Sequence, residues 1–256
     1  MKVLGIDIGG SGIKGAPVDT KKGKLLKSRH RIPTPDGAKP EEVAQVIQQI
    51  VDYFEWEQPF GCGFPAVVQK GVTRTAANVD DQWVGFDAER YLEDLTGYPV
   101  RMINDADAAG LAEMKFGAGK GEDGVVVLIT VGTGLGTSLF SNGQLVPNTE
   151  LGHLEIDGED AEWNASDAAR TRDDLSWELW APRFDRYLRT IERLFWPDLI
   201  IIGGGASKKK KMKKYMPYMT VTTKVVPAQL RNNAGIIGAA LAAKPAKKAW
   251  KKKQKK

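Results

Sequence analysis

Residues 3–19 read VLGIDIGGSGIKGAPVD. Within them GSGIKG (10–15) fits G-x-G-x-x-G, the glycine pattern of dinucleotide-binding turns, and a strand-like run from Val3 to Ile8 precedes it. The residues after the glycines decide the fold. A dinucleotide site needs a helix directly after the last glycine, because the pyrophosphate rests on the helix N-terminus. Gly15, Pro17 and Val18 make a helix over 13–19 unfavourable, and Lys21-Lys22-Gly23 signals another turn a few residues on. The acid that would hold a ribose about 20 residues downstream is also missing, since His30 and Arg31 stand there. The stretch therefore reads as strand, tight turn, antiparallel strand. Such a turn is either a plain hairpin with permissive glycines or a cradle in which the amides of Gly9, Gly10, Ser11 and Gly12 bind phosphate oxygens. In the second reading Ser11 adds a hydroxyl, Lys14 a positive charge, and Asp7 a carboxylate able to hold hydrated magnesium.

A second turn strengthens the phosphate reading. Residues 125–131 form a strand-like run that ends in Gly132-Thr133-Gly134-Leu135-Gly136. Two such turns can clamp one phosphate chain, with Thr133 as the side-chain contact. A third run, Gly203-Gly204-Gly205, closes the buried-strand pattern of 199–202. Gly204 and Gly205 there serve either helix–strand packing or close backbone approach to a phosphate donor.

Around these turns, helical spacing predicts helices over 41–54, 87–96, 106–116, 175–195 and 233–243. Strand patterns fall at 24–32, 59–68, 99–103 and 137–140, with a hairpin signal at Asn142-Gly143. Strands that alternate with helices read as an α/β chain.

Composition narrows the possibilities. No run approaches ~18 consecutive apolar residues, so no transmembrane helix is expected, and Met1-Lys2 leads straight into a strand rather than a signal peptide. Cys62 is the single cysteine among 256 residues, which fits a reducing, cytoplasmic setting. The formal net charge is +5, yet residues 244–256 hold eight lysines and no acid, so the rest of the chain carries −3. Residues 207–214, SKKKKMKK, add six more lysines. Such runs are either solvated tails or sites for a polyanion.

Five motifs then occur in order: GIDIGGSGIKG (5–15), INDADAAGLAE (103–113), VGTGLGT (131–137), ELGHLEIDG (150–158) and IIIGGGAS (200–207). Together they resemble the ROK-type sugar kinases. VTRTAANVDDQWVG (72–85) and VPAQLRNNAGIIGA (226–239) resemble the polyphosphate-using members in particular. The resemblance covers about residues 1–243. It implies an α/β, actin/hexokinase-like (ribonuclease H-like) two-lobed kinase fold. Residues 1–105 plus about 236–243 would form the small lobe and 106–235 the large one, with 244–256 as a disordered lysine-rich tail. The implied activity is phosphoryl transfer, with Mg2+, from inorganic polyphosphate or ATP to the 6-hydroxyl of glucose.

Asp105 matches the family's catalytic base, although an acid at a strand end before a helix is, from the residues alone, equally a helix cap. Asp107 lies in the first turn, where macrodipole compensation suffices. Asn78, Asn104, Asp105, Glu150, His153 and Glu162 match the sugar ligands, Glu162 through the spacing Glu-x-x-x-Ser to Ser166. Many family members carry a zinc site built from the histidine after Gly152 and three cysteines. LEIDGEDAEWNA (154–165) has none, so no zinc site is expected. The expected partners are glucose, polyphosphate or ATP, and a second copy in a homodimer, with no specific nucleic acid and no membrane. Three other readings stay open: a strictly ATP-dependent kinase of the same family, a sugar sensor without activity, weakened by the presence of Asp105, and a basic nucleic-acid-associated protein. The lysine blocks favour the last, and the paired glycine turns speak against it.

Overall fold

The glycines at 9–12 close a hairpin. In the computed structural model, which describes residues 1–77 and 79–254, β1 (Lys2–Gly9) pairs antiparallel with β2 (Gly12–Asp19), Gly9 opposite Gly12 and Asp7 opposite Lys14. No helix comes after the glycines, so the dinucleotide geometry is absent, as Pro17 and Val18 require. β3 (Lys24–Leu25) and β4 (His30–Ile32) then pair antiparallel with β2.

Helix α1 (Pro40–Tyr53) starts on Pro40, carries Glu41 and Glu42 in its first turn, and buries Val43, Val46, Ile47 and Ile50. β5 (Phe60–Phe64) lies parallel to β1, and β6 (Val68–Gln69) with β7 (Val72–Thr73) makes a small hairpin. Asp87 caps α2 (Ala88–Thr96) by accepting from the Arg90 amide, and Gly97 ends it at φ 75°. β8 (Val100–Asn104), parallel to β5, runs directly into α3 (Asp105–Phe116). β9 (Val125–Val131), β10 (Leu135–Ser141) and β11 (Gln144–Val146) form a meander, and the hairpin β12 (Glu155–Ile156) and β13 (Glu159–Asp160) comes next. The chain continues through α4 (Ala161–Ala165), α5 (Asp167–Arg172), α6 (Trp177–Phe195), β14 (Leu199–Gly204), α7 (Lys209–Tyr215) and β15 (Val225–Pro227). It ends in α8 (Ala234–Ala242) and α9 (Lys244–Lys253).

Two compact units result, one of Met1–Ala112 plus the chain from Asn233 onward, the other Glu113–Asn232. The expected division before residue 106 falls instead after Ala112, because α3 is one continuous helix whose first turns pack with β5 and α8.

The first unit is a sheet of order β3-β2-β1-β5-β8, with β4 also beside β2. Its core joins Leu4, Ile6, Ile8, Ile47, Ile50, Phe60, Phe64 and Trp83. Helix α8 is apolar all round and buried, and it meets its neighbours backbone to backbone. A Cβ at Gly5 would lie 1.9 Å from the Ile236 oxygen, one at Gly61 2.0 Å from the Ala239 oxygen, and one at Gly238 1.7 Å from the Ala108 oxygen.

The disordered tail expected over 244–256 is corrected by α9, which is helical over Lys244–Lys253. The cause is a contact that the lysine run conceals. Lys247 is buried, its Nζ donates to the Lys2 carbonyl, and it sits 4.7 Å from the centre of the Trp56 ring.

The second unit is a sheet of order β11-β10-β9-β14-β15. α6 begins at the Ser176 cap and buries Trp177, Trp180, Phe184, Tyr187, Leu188 and Ile191. Trp196, in the left-handed region, ends it just before Pro197. Among the described residues no helix is long and apolar enough to cross a membrane.

Candidate active site

In the first unit the carboxyl ends of β1, β5 and β8 stand side by side, with Asp7 beside Gly63 and Gly63 beside Ile103. Ligands of open α/β sheets gather at such ends. Asn104 ends β8, and its Oδ1 accepts from the Asp107 amide at 3.0 Å. The capping role open to Asp105 is thus filled by Asn104. The Asp105 Oδ1 lies 2.7 Å from the next amide, Ala106. A Cβ at Gly63 would lie 3.7 Å from the Asp105 Cα and 3.9 Å from the Asp7 Oδ1. Asp7 and Asp105 therefore flank one side-chain-free position.

Asp7 is held by Lys14 Nζ at 3.5 Å. Burial pushes its carboxyl above the ordinary range, and Lys14 pulls it partly back. Such a carboxylate gains from a further cation. Among the described residues no three His, Cys, Asp or Glu side chains gather into a cage. The donors present fit a magnesium ion held by Asp7, water and phosphate oxygens, rather than one enclosed by protein.

The turn itself is braced by residues that the sequence motifs do not single out. Arg31 Nη2 donates to the Ser11 carbonyl and Thr34 Oγ1 to the Gly9 carbonyl, each at 2.5 Å. Arg31 stands opposite Lys14, so a row Asp7–Lys14–Arg31 crosses three strands. A Cβ at Gly10 would meet nothing within 4 Å, so the chain's own packing does not demand glycine there, and an anion has room to approach.

Gly235, in the first turn of α8, has the opposite character. A Cβ there would lie 2.8 Å from the Asp7 Cγ and Oδ1. Gly235→Ala is expected to displace that carboxylate and lower turnover by about ten- to a hundredfold, the range for a misplaced reacting group. Circular dichroism and the melting curve should stay near wild type, so turnover measured beside them is the check.

The second unit carries its own group. Gly132–Gly134 comes directly after β9, and Gly203 and Gly204 pair with Thr130 and Val131 at the end of the adjacent parallel β14. Gly132 opens onto free space, whereas a Cβ at Gly204 (φ 68°) would lie 2.4 Å from the Val131 oxygen. Gly204 is thus demanded by the chain itself, whatever else it touches. Thr133 is exposed. Beside Gly205, Asp167 holds Lys211 at 3.3 Å.

The stretch Glu150–His153 is drawn against β10 by Gly152, whose Cβ would lie 2.3 Å from the Leu135 oxygen. The Leu151 amide also donates to the Thr137 hydroxyl at 3.0 Å. Glu162 reaches the same place, its Oε2 accepting from the Leu135 amide at 3.0 Å. Three of the sugar-ligand candidates therefore cluster. Burial pushes the Glu150 carboxyl up. A hydrogen bond between His153 Nδ1 and the Asp160 carboxylate, at 2.8 Å, raises the imidazole above its ordinary range, with the nearby Glu162 and Glu150 adding to it. Asp160, on β13, fixes the ring so that Nε2 faces Glu150 at 3.9 Å. In the sequence this segment stands out for its lack of cysteine, and the acidic run Asp157–Asp160 is the one signal for a partner to His153. Asn78 lies outside the described residues. Cys62 is a buried thiol in β5.

A cavity of about 1360 Å³ opens beside Gly204 in the same unit. Lys208, Lys209 and Lys210 line it, with Met212, Val226 and Pro227 as its apolar part. Its Ala228–Gln229 wall is fastened by Glu113. That fully buried carboxylate accepts from the amides of Gln229 (3.1 Å), Leu230 (2.7 Å) and Ala118 (2.8 Å).

The sequence model of the ROK family matches residues 3–173. The polyphosphate glucokinase of Mycobacterium tuberculosis (strain CDC 1551 / Oshkosh) is 48% identical over 240 residues, covering 93% of this chain and 90% of that protein. Among solved structures, the inorganic polyphosphate/ATP-glucomannokinase from Arthrobacter sp. strain KM superposes with a TM-score of 0.89 at 50% identity, over 94% of this chain and 97% of that one. The ROK family glucokinase from Streptomyces griseus, in complex with glucose and AMPPNP, gives 0.79 at 25% identity over 96% and 100%. With the glycine turns, the Asn-Asp strand end and the Glu-Leu-Gly-His turn in place, the chain belongs to the ROK family.

Proposed function

We propose that the protein transfers a phosphoryl group from inorganic polyphosphate, or from ATP, to the 6-hydroxyl of glucose. The observation that carries the reading is the pair Asp7 and Asp105 around the bare position at Gly63, in a chain aligned almost end to end with polyphosphate glucokinase.

Asp105 is the general base. It takes the proton of the sugar hydroxyl as that oxygen bonds to the terminal phosphorus and the bridging P–O bond breaks. The shortened donor leaves with the bonding electrons. Asn104, Asn78, Glu150, His153 and Glu162 hold the sugar hydroxyls. His153 donates to one, and Glu150 accepts from its neighbour. Amides in the Gly9–Gly12 turn and those of Thr133 and Gly134, with Lys14 and Arg31, hold the donor's phosphates, while the Gly132 amide donates to the Gly134 carbonyl and shapes the second turn. Magnesium, when bound at Asp7, supplies neutralisation of the charge on those phosphates. The lysines by Gly204 suit a phosphate chain, and the apolar wall of Met212, Val226 and Pro227 suits a nucleotide base, which supports use of both donors.

The test is glucose 6-phosphate formation with Mg2+ and either donor. Product from both is expected, and product from neither rejects the reading. Product from ATP alone favours the strictly ATP-dependent alternative, to which the relative crystallised with AMPPNP lends support. Replacing Lys208, Lys209 and Lys210 by Gln should raise KM for long polyphosphate by about tenfold or more and KM for ATP by less. An equal rise for both would remove these lysines from the polymer's path. The lone cysteine supports a cytoplasmic setting. The homodimer implied by the family resemblance is checked by sedimentation.

A further inference from the structure

Helix α9 carries six lysines and no acid over Lys244–Lys253. Lys247 is turned inward onto Trp56 and the Lys2 carbonyl. Lys248, Lys251, Lys252 and Lys253 are exposed, and none has an ion pair among the described residues. Lys248 meets Lys251 and Lys252 at the spacings where like charges oppose a helix. A counter-charge running along the helix axis would relieve this repulsion.

We propose that α9 is a capture site for long-chain polyphosphate, distant from the place of phosphoryl transfer. The proposal deepens the donor reading above and rests on it. Two observations choose the ligand. The exposed face of α9 offers point charges and little else, since its one aromatic, Trp250, is half-buried; that suits a polymer made only of phosphate better than one read through its bases. The second is position. Lys247 anchors α9 at Lys2, the start of β1, while Asp7 and the glycine turn lie at its other end. Five residues of strand separate them by about 17 Å. α8 spans the same interval in the reverse direction, from Gly235 beside Asp7 to the start of α9. A tripolyphosphate engaged at Asp7 is too short to touch α9, and a nucleotide has no charge beyond its three phosphates to offer it, whereas a long chain reaches both. Holding the chain at α9 raises the local concentration of its reacting end, so the helix sets a preference for long donors.

The experiment compares the full chain with a Lys248→Gln/Lys251→Gln/Lys252→Gln variant, whose substitutions are all exposed. Long-chain polyphosphate is titrated without glucose at several salt concentrations, and KM is measured for long-chain polyphosphate, tripolyphosphate and ATP. The variant should bind the long chain about tenfold more weakly at low salt. Its slope of log affinity against log salt should shrink by about two to three, one counterion per lysine removed. KM for tripolyphosphate and ATP should not change. Unchanged long-chain affinity and slope, or an equal loss with all three donors, overturns the proposal. So does tighter binding by the wild type, lost in the variant, of duplex DNA of matched charge or of phosphatidylserine vesicles. If the wild type makes glucose 6-phosphate from ATP alone, the donor reading falls, while the glucose-free titration still decides capture by α9.

Discussion

Asp105→Asn is expected to lower turnover by roughly 10²–10⁴, the usual worth of a positioned general base. The amide keeps the shape of the carboxylate and can still accept a hydrogen bond, so glucose affinity should change little. Stability should be kept as well, because the helix cap is Asn104, whose Oδ1 takes the Asp107 amide. A side chain that served only to start α3 would show the reverse, with a lowered melting temperature and near-normal turnover. Steady-state rates with both donors, beside a glucose titration, separate the two. The loss should be the same whether the donor is ATP or polyphosphate, because the proton removed belongs to the sugar.

The largest effect on stability is expected at Gly238. A Cβ there would sit 1.7 Å from the Ala108 oxygen and 2.3 Å from its carbon. The obstacle is backbone, so no rotamer relieves it, and α8 has to move off α3. Overpacking commonly costs about 1–3 kcal/mol, and this contact belongs at or beyond the top of that range. For a chain of this size about 3 kcal/mol is a fall of roughly 6–12 °C in melting temperature. Gly63→Ala is the control, since its Cβ would meet the Ala108 side chain at an ordinary 3.6 Å. Equal melting temperatures for the two variants would contradict the packing argument.

The sequence is informative where a local rule acts alone. Pro17 and Val18 exclude a helix after the glycines, and β2 is a strand. The strand-like run Val125–Val131, apolar except for Thr130, is β9, residue for residue. Asn142-Gly143 is a hairpin turn with both residues at positive φ. Elsewhere distant partners decide. Nothing near residue 247 announces that Trp56 will cover its ammonium group, so the lysine run reads as a tail. The bracing of Ser11 by Arg31 and of His153 by Asp160 depends on strand register and on a short hairpin, neither of which leaves a periodic signal. α4 and α5 are too short to show a helical period, and the Ser166 cap between them is their one local mark. The unit boundary is hidden because Asn-Asp looks like a break between segments, whereas α3 continues through Ala112 into the other unit.

The placement of α8 also bears on how the protein is made. β1 and β5 leave the ribosome early, but the helix that covers Gly5 and Gly61 is encoded at residues 234–242. The contiguous stretch Glu113–Asn232 has all of its own partners before that helix exists. During synthesis the amino-terminal sheet therefore waits, its face over Gly5 and Gly61 uncovered, until α8 emerges. Its completion closes loops of roughly 180–230 residues, the kind of non-local step that slows folding and exposes a nascent chain to aggregation. The carboxylate of Asp7 acquires its neighbour Gly235 only in that late act, so a truncated chain lacking α8 would lack an ordered reaction centre even though every motif of the amino-terminal half is present.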